Sequence, residues 1–154
     1  MLLAPNFPLA LLVRSATAEQ QGIDNSPPPE VIENLKVLAA GLEQVQALLG
    51  HPLDISSGYR CPALNAAVGG STASQHVQGL AADFVCPDFG PPLEVARAIG
   101  DSAIAFDQCI LEFGSWIHLS FSPQPRGRVL TIHNSNEGYL AGLWDRDSAG
   151  NRVA

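Results

Sequence analysis

His76, Asp83, Glu112 and His118 are the ionisable residues of this chain that sit among apolar or small neighbours. A carboxylate or imidazole withdrawn from water is costly unless it is paired or bound to a cation. Two imidazoles and one carboxylate form a known catalytic zinc set that leaves the fourth position for water, whereas calcium would want six or more oxygens. His76, Asp83 and His118 are therefore candidate zinc ligands, with Glu112 a fourth charge in need of a reason. His76 precedes Asp83 by seven residues with Gly79 between them. That spacing places the histidine at the end of a loop or helical turn and the aspartate on the strand that follows. Taken alone, the pair also fits a surface histidine beside a capping aspartate.

The elements that must position these residues follow from periodicity and punctuation. Pro8 suits the first turn of a helix, and Leu9, Leu12 and Val13 continue at helical spacing until Ser15 and Thr17 weaken the pattern, predicting one short N-terminal helix. After the rigid run Ser26-Pro27-Pro28-Pro29, Val31, Leu35, Leu38, Leu42, Val45 and Leu49 form one stripe of a long helix that Gly50 ends. Shorter segments come next. A strand is expected over 53–56, a Gly58-Tyr59-Arg60 turn, and a short helix from Pro62 to the Gly69-Gly70 stop. A buried strand over 81–86 and a helix over 92–99 precede two β-like runs, 108–113 and 116–121, that read as a hairpin, and 128–133 adds a further strand. The division expected is one domain over 1–133 and a tail over 134–154, loosely held except where Tyr139, Leu143 and Trp144 dock.

Composition bounds the function. The 154 residues carry 46% hydrophobic and 15% charged residues, which fits one globular domain and argues against disorder. A net charge of -7 without clustered Lys or Arg argues against a nucleic-acid partner. Cys61, Cys86 and Cys109 are odd in number and at no metal-ligand spacing, so reduced thiols are expected. The apolar opening to Ala18 lacks a basic start and is interrupted by Pro5, Pro8 and Arg14, which fits a signal peptide poorly. No stretch reaches the roughly 20 apolar residues of a membrane span. Cytoplasmic synthesis as a monomer is the simplest expectation.

Three segments go further. Ser57-Gly58-Tyr59-Arg60, then the run from Ser74-Gln75-His76 through Gly79 to Ala82-Asp83-Phe84, then Trp116-Ile117-His118-Leu119-Ser120-Phe121 resemble, in order and content, the zinc D-Ala-D-Ala carboxypeptidase family. That family includes VanY-like and VanX-like enzymes and phage endolysins, and the likeness is to its small stand-alone members. Phe106-Asp107-Gln108 and Glu112-Phe113-Gly114 fit too, so the resemblance runs from about Asn6 through Phe121. It implies an α+β fold with a central antiparallel sheet, flanking helices and a zinc site on the sheet. It also implies hydrolysis of peptide bonds in cell-wall (peptidoglycan) peptides, as a D,D-carboxypeptidase or an endopeptidase, with phage-type delivery to the wall one route.

Carried over by motif, the zinc ligands fall on His76, Asp83 and His118. Arg60 falls where the family has an arginine on the substrate or its developing oxyanion, and Ser74 where it has a substrate-contacting serine, a place that a turn-capping serine would fill as well. Trp116 either walls the cleft or packs in the hairpin. Many relatives place the general base three residues before the last histidine, where this chain has Ser115, which cannot act as one. Glu112, six residues before His118, is the candidate instead, a separation also found in the resembling zinc domain of hedgehog proteins, with Asp107 second and also a candidate substrate contact. The assignment depends on the hairpin loop: Phe113-Gly114-Ser115 puts Glu112 opposite Trp116 and on the face of His118, whereas a Gly114-Ser115 loop turns it away. The displaced base leaves a rival reading, a zinc-stabilised module that binds cell-wall peptide or a protein partner without cutting it.

Overall fold

The computed structural model describes residues 1–146 and 152–153. The chain begins with a small hairpin, β1 (Leu2–Ala4) paired with β2 (Phe7–Pro8), followed by α1 (Leu9–Val13) and α2 (Ala16–Gln21). The sequence predicted a single helix here. Ser15, which interrupts the apolar periodicity, is instead the N-cap of the second, its side-chain oxygen accepting from the Ala18 backbone N–H at 3.2 Å. Pro8 lies in β2 and caps α1 from outside its first turn.

The long helix α3 (Pro29–Leu49) opens on a proline and ends at Gly50, whose positive φ of 71° and backbone N–H to Gln46 close the last turn. Its stripe, Val31 through Leu49, is buried as the spacing required. There follow β3 (Asp54–Ser57), α4 (Pro62–Ala67), β4 (Ala81–Val85), α5 (Pro92–Gly100), β5 (Gln108–Glu112), β6 (Trp116–Ser120), β7 (Arg128–Ile132) and β8 (Tyr139–Ala141).

Six of these strands form one sheet in the order β3-β4-β6-β5-β7-β8. The α+β class expected from the sequence is the one observed, and the sheet is antiparallel at every junction except β5 with β7, which run parallel. Of the tail expected over 134–154, positions 147–151 and 154 lie outside the described residues; the rest supplies β8 as the edge strand, with Leu143 packed on the core and Trp144 buried against His133 at 5.6 Å, whereas Tyr139, expected to dock, is exposed.

Strand alternation gives the sheet two unlike faces. Ala82, Phe84, Cys109, Leu111, Ile117 and Leu119 are fully enclosed, and most pack with the apolar sides of α3 and α5 in the main core. The opposite face carries Asp83, His118, Ile110 and Leu130 side by side across β4, β6, β5 and β7. Cys61, Cys86 and Cys109 are free and buried, as composition suggested. Among the described residues no helix is long and apolar enough to cross a membrane.

Phe121, just past β6, lies against α3 at Gly41, where an added Cβ would meet the ring at 2.3 Å. Alanine is the better helix former by roughly 1 kcal/mol, yet here overpacking should win. Gly41→Ala is expected to destabilise the fold by about 1–3 kcal/mol in urea denaturation; a net gain in stability would show that the ring is free to move aside.

Candidate metal centre

The site is assembled from one loop and two neighbouring strands. Asp83 and His118 are direct cross-strand partners on β4 and β6, so the sheet register alone brings them together. His76 arrives from the loop before β4. Gly79, at a φ of 76°, turns that loop back so that its own N–H and that of Leu80 bond to the carbonyls of His76 and Gln75, and a Cβ there would lie 2.8 Å from Val31 on α3. The Asp83 carboxylate then takes both imidazoles on one oxygen: Oδ1 lies 3.2 Å from His76 Nε2 and 3.0 Å from His118 Nδ1.

The second nitrogen of His76 settles what the first can do. Its Nδ1 is 2.7 Å from the Gly58 carbonyl oxygen, which can only accept, so Nδ1 carries a proton. Nε2 must then either hold a second proton or offer its lone pair to a cation shared with Asp83. The distances accommodate either. Zinc bonds of about 2.0–2.2 Å in a tetrahedron set neighbouring donor atoms roughly 3.3 Å apart, and the one ligand atom from each of His76, Asp83 and His118 lies within 4.8 Å of the others. Among the described residues this trio is the cluster able to hold a metal ion, and its donor set fits zinc.

Electrostatics agree. Burial works to raise the Asp83 pKa, but the contacts with His118 and His76 outweigh it and hold the carboxyl well below the usual carboxylate range. The site thus keeps an anionic oxygen between two rings.

Gly58 provides its carbonyl because it has no side chain. A Cβ would sit 2.3 Å from the Leu12 carbonyl oxygen, which accepts from the Tyr59 N–H at 2.7 Å. The sequence marked Gly58 as a turn residue; the reason for glycine here is close backbone approach rather than a positive φ.

Other predicted site residues fall around this core. The hairpin loop has three residues, with Glu112 paired to Trp116 and Phe113 and Gly114 both at positive φ. Glu112 therefore shares the face of His118, its Oε1 at 3.6 Å from His118 Nδ1. Burial pushes the Glu112 pKa up; the neighbouring His118 works against this, Asp83 with it, and Arg60 against. Arg60 lines the same cleft, its backbone N–H on the His76 carbonyl, one guanidinium nitrogen 3.4 Å from Ser74 Oγ and its Nε buried without a protein partner. Ser74 Oγ also accepts from the His76 backbone N–H, so this serine orders both residues. Trp116 lines the cleft with Phe113 at 5.4 Å.

Asp107 faces a different partner. Its two oxygens take the Arg126 backbone N–H, Nε and Nη2, and the Gln75 amide at 2.8 Å. Those bonds, led by the arginine, bring its pKa to about 2. Asp107 thus ties the start of β5 to the His76 loop. Sequence reasoning missed Gln75, Arg126, Arg128 and Tyr139, which line the cleft of about 720 Å³. The signal was present in Arg126-Gly127-Arg128, a basic pair in a chain with 8 Lys and Arg in all.

An α+β sheet carrying a largely buried His-Asp-His cluster on its open face defines the class, a protein with a centre able to hold a metal ion. The chain belongs to the Peptidase M15 family, whose model matches residues 5–120, and its members are metal-dependent peptidases. No curated protein gives a significant match.

Two outcomes test this construction. Gly58→Ala, which forces the Leu12 and Gly58 backbones apart, should lower stability and, in its folded fraction checked by circular dichroism, bind zinc about 10- to 100-fold more weakly in chelator competition, the usual cost of disturbing a ligand's outer partner; unchanged affinity would show that the carbonyl does not orient His76. For Asp107 the folded-state pKa is depressed, so its stabilisation is present above the ordinary value of 3.8 and is lost as pH falls through about 2. The stability gap between the metal-free wild type and Arg126→Ala should therefore close over that window in denaturant titrations. With the Arg126 side chain 52% exposed, the gap should be modest and shrink with salt.

Proposed function

We propose that this protein uses zinc to hydrolyse peptide bonds in bacterial cell-wall peptides, as a D,D-carboxypeptidase or an endopeptidase. The observation that carries the reading is the position of Glu112, a half-buried carboxylate beside His118 on the face that holds the three candidate ligands. A structural cation site would need no such neighbour, because Asp83 alone serves both imidazoles.

His76, Asp83 and His118 would hold the ion. When bound, zinc supplies Lewis acidity that activates water at neutral pH and polarises a carbonyl. Glu112 takes the proton of the attacking water and returns it to the leaving amine, a transfer that requires hydrogen-bond reach rather than a particular pKa alone. Burial favours that role by removing the water that would otherwise solvate the carboxylate. Arg60 is held at the His76 loop by its backbone and presents a guanidinium to the cleft, suited to a substrate carboxylate or to the oxyanion of the tetrahedral intermediate. Ser74 orients Arg60, and Trp116, backed by the Phe113 ring, lines the cleft beside Glu112.

The deciding measurement compares wild type and Glu112→Gln, each with zinc quantified, on D-Ala-D-Ala-ending peptides and on crosslinked peptidoglycan. Glu112→Gln should keep its zinc and lose about 10²- to 10⁴-fold in turnover, the usual contribution of a general base. Release of D-Ala from the free peptide alone marks the carboxypeptidase, and solubilisation of crosslinked wall the endopeptidase. Zinc-loaded wild type that cuts neither substrate defeats the proposal in favour of a binding module.

A further inference from the structure

Positive charge is scarce in this protein and is not spread evenly. Of the 8 Lys and Arg residues, Arg60, Arg126 and Arg128 line the one cleft that holds the candidate metal centre, in a chain of net charge -7. Their situations differ. Arg60 is partly buried at the His76 loop, and Arg126 is engaged by Asp107. Arg128 is exposed and makes no ion pair or side-chain hydrogen bond with the described residues. A solvated arginine is unremarkable on its own. What distinguishes this one is its place in the cleft.

Arg60 follows β3, on the outer side of β4, whereas Arg128 opens β7, beyond β5. The two cations therefore bracket the His-Asp-His cluster from opposite sides of the sheet. Between the cluster and Arg128 the floor is apolar: Ile110 is the cross-strand neighbour of His118, Leu130 is that of Ile110, and with Ile132 they form a separate small hydrophobic cluster. Gln108 pairs in register with Arg128 and also lines the cleft. Two strand spacings and two residues along β7 separate the His118 and Arg128 backbones, roughly 12 Å. An arginine side chain leaning inward leaves a gap that about two extended peptide residues would span.

Resting on the peptidase reading above, we infer that Arg128 is a specificity residue: the cleft takes a peptide that carries a second free carboxylate, about two residues to the N-terminal side of the scissile bond, and Arg128 pairs with it. The intervening residues lie over Ile110 and Leu130, which contact aliphatic surface and offer no competing polar group. Arg60 and Arg128 then read two negative charges a fixed distance apart, so a substrate with one carboxylate satisfies only half of the cleft. Arg128 lies beyond the 5–120 span of the family match, so this selectivity belongs to the chain's own C-terminal segment.

The test uses two synthetic peptides ending in D-Ala-D-Ala, identical except for a side-chain carboxylate or carboxamide two residues before the scissile bond. Their binding to zinc-loaded Glu112→Gln protein, read by calorimetry, reports the subsite without turnover. The acid twin should bind about 10-fold tighter, a difference of about 1.4 kcal/mol, and raised salt should narrow the gap. Adding Arg128→Gln should bring the ratio close to one, and Arg128→Glu should reverse it. Twins that bind equally, that both fail to bind, or whose ratio survives Arg128→Gln overturn the inference. Cleavage by the wild type is scored separately: a preserved binding ratio with neither peptide cut and crosslinked peptidoglycan left intact overturns the peptidase reading and leaves the Arg128 subsite standing.

Discussion

The shared oxygen of Asp83 is the contact on which the site is built. A carboxylate this enclosed would favour its neutral form, and two imidazoles at 3.0 and 3.2 Å reverse that preference. The Gly58 carbonyl fixes the proton of His76 on the far nitrogen, so the near one faces an anion. Such an arrangement is satisfied by a proton or by a metal, and the approach distances match the edge of a zinc tetrahedron. Everything around the trio acts to hold that oxygen and those two rings in place: the cross-strand register for His118, the Gly79 turn for His76, and Ser74 for the loop backbone.

Separation of the two sheet faces is what makes such a polar cluster tolerable. One face is sealed against α3 and α5 and provides the apolar burial that stabilises the fold. The other is free to carry the ionisable groups because it faces the cleft. A period-two strand places Asp83 between Ala82 and Phe84, and His118 between Ile117 and Leu119, so each functional side chain is flanked by two core residues. The anchoring that fixes the ligands is thus local to the same strands.

Much of this could be read from the residues. The stripe and stop of α3, the strand carrying Asp83 and the hairpin carrying His118 rest on local periodicity and turn chemistry, which the sequence states directly. The trio itself was visible as charge in apolar context. What escaped was non-local or had competing local explanations. Ser15 broke an apolar pattern and so looked like an end, when its hydroxyl begins a new helix. The parallel junction of β5 with β7 depends on a crossover, and no residue type marks it. Asp107 was an available carboxylate in sequence, and only folding brings Arg126 across to occupy both its oxygens. At the hairpin a two-residue Gly114-Ser115 loop competes in the sequence with the three-residue loop observed, because phenylalanine at a φ of 55° is an uncommon choice.

The same alternation decides which metal chemistry is accessible. Cys109 sits on β5 immediately before Ile110, the cross-strand neighbour of His118, and a thiolate is a stronger zinc ligand type than carboxylate oxygen by softness. It does not compete because its side chain points to the opposite face, where it is fully buried and burial pushes its thiol up to about 12. A one-residue slip of β5 against β6 would bring that sulfur beside His118 and send Glu112 to the core face. Such a slip would also bury a carboxylate without a partner and expose Leu111, with Cys109, on the cleft face in its place. The register is therefore protected by the energetics of the whole strand, and the oxygen-and-nitrogen character of the centre is inherited from that protection rather than chosen at the site.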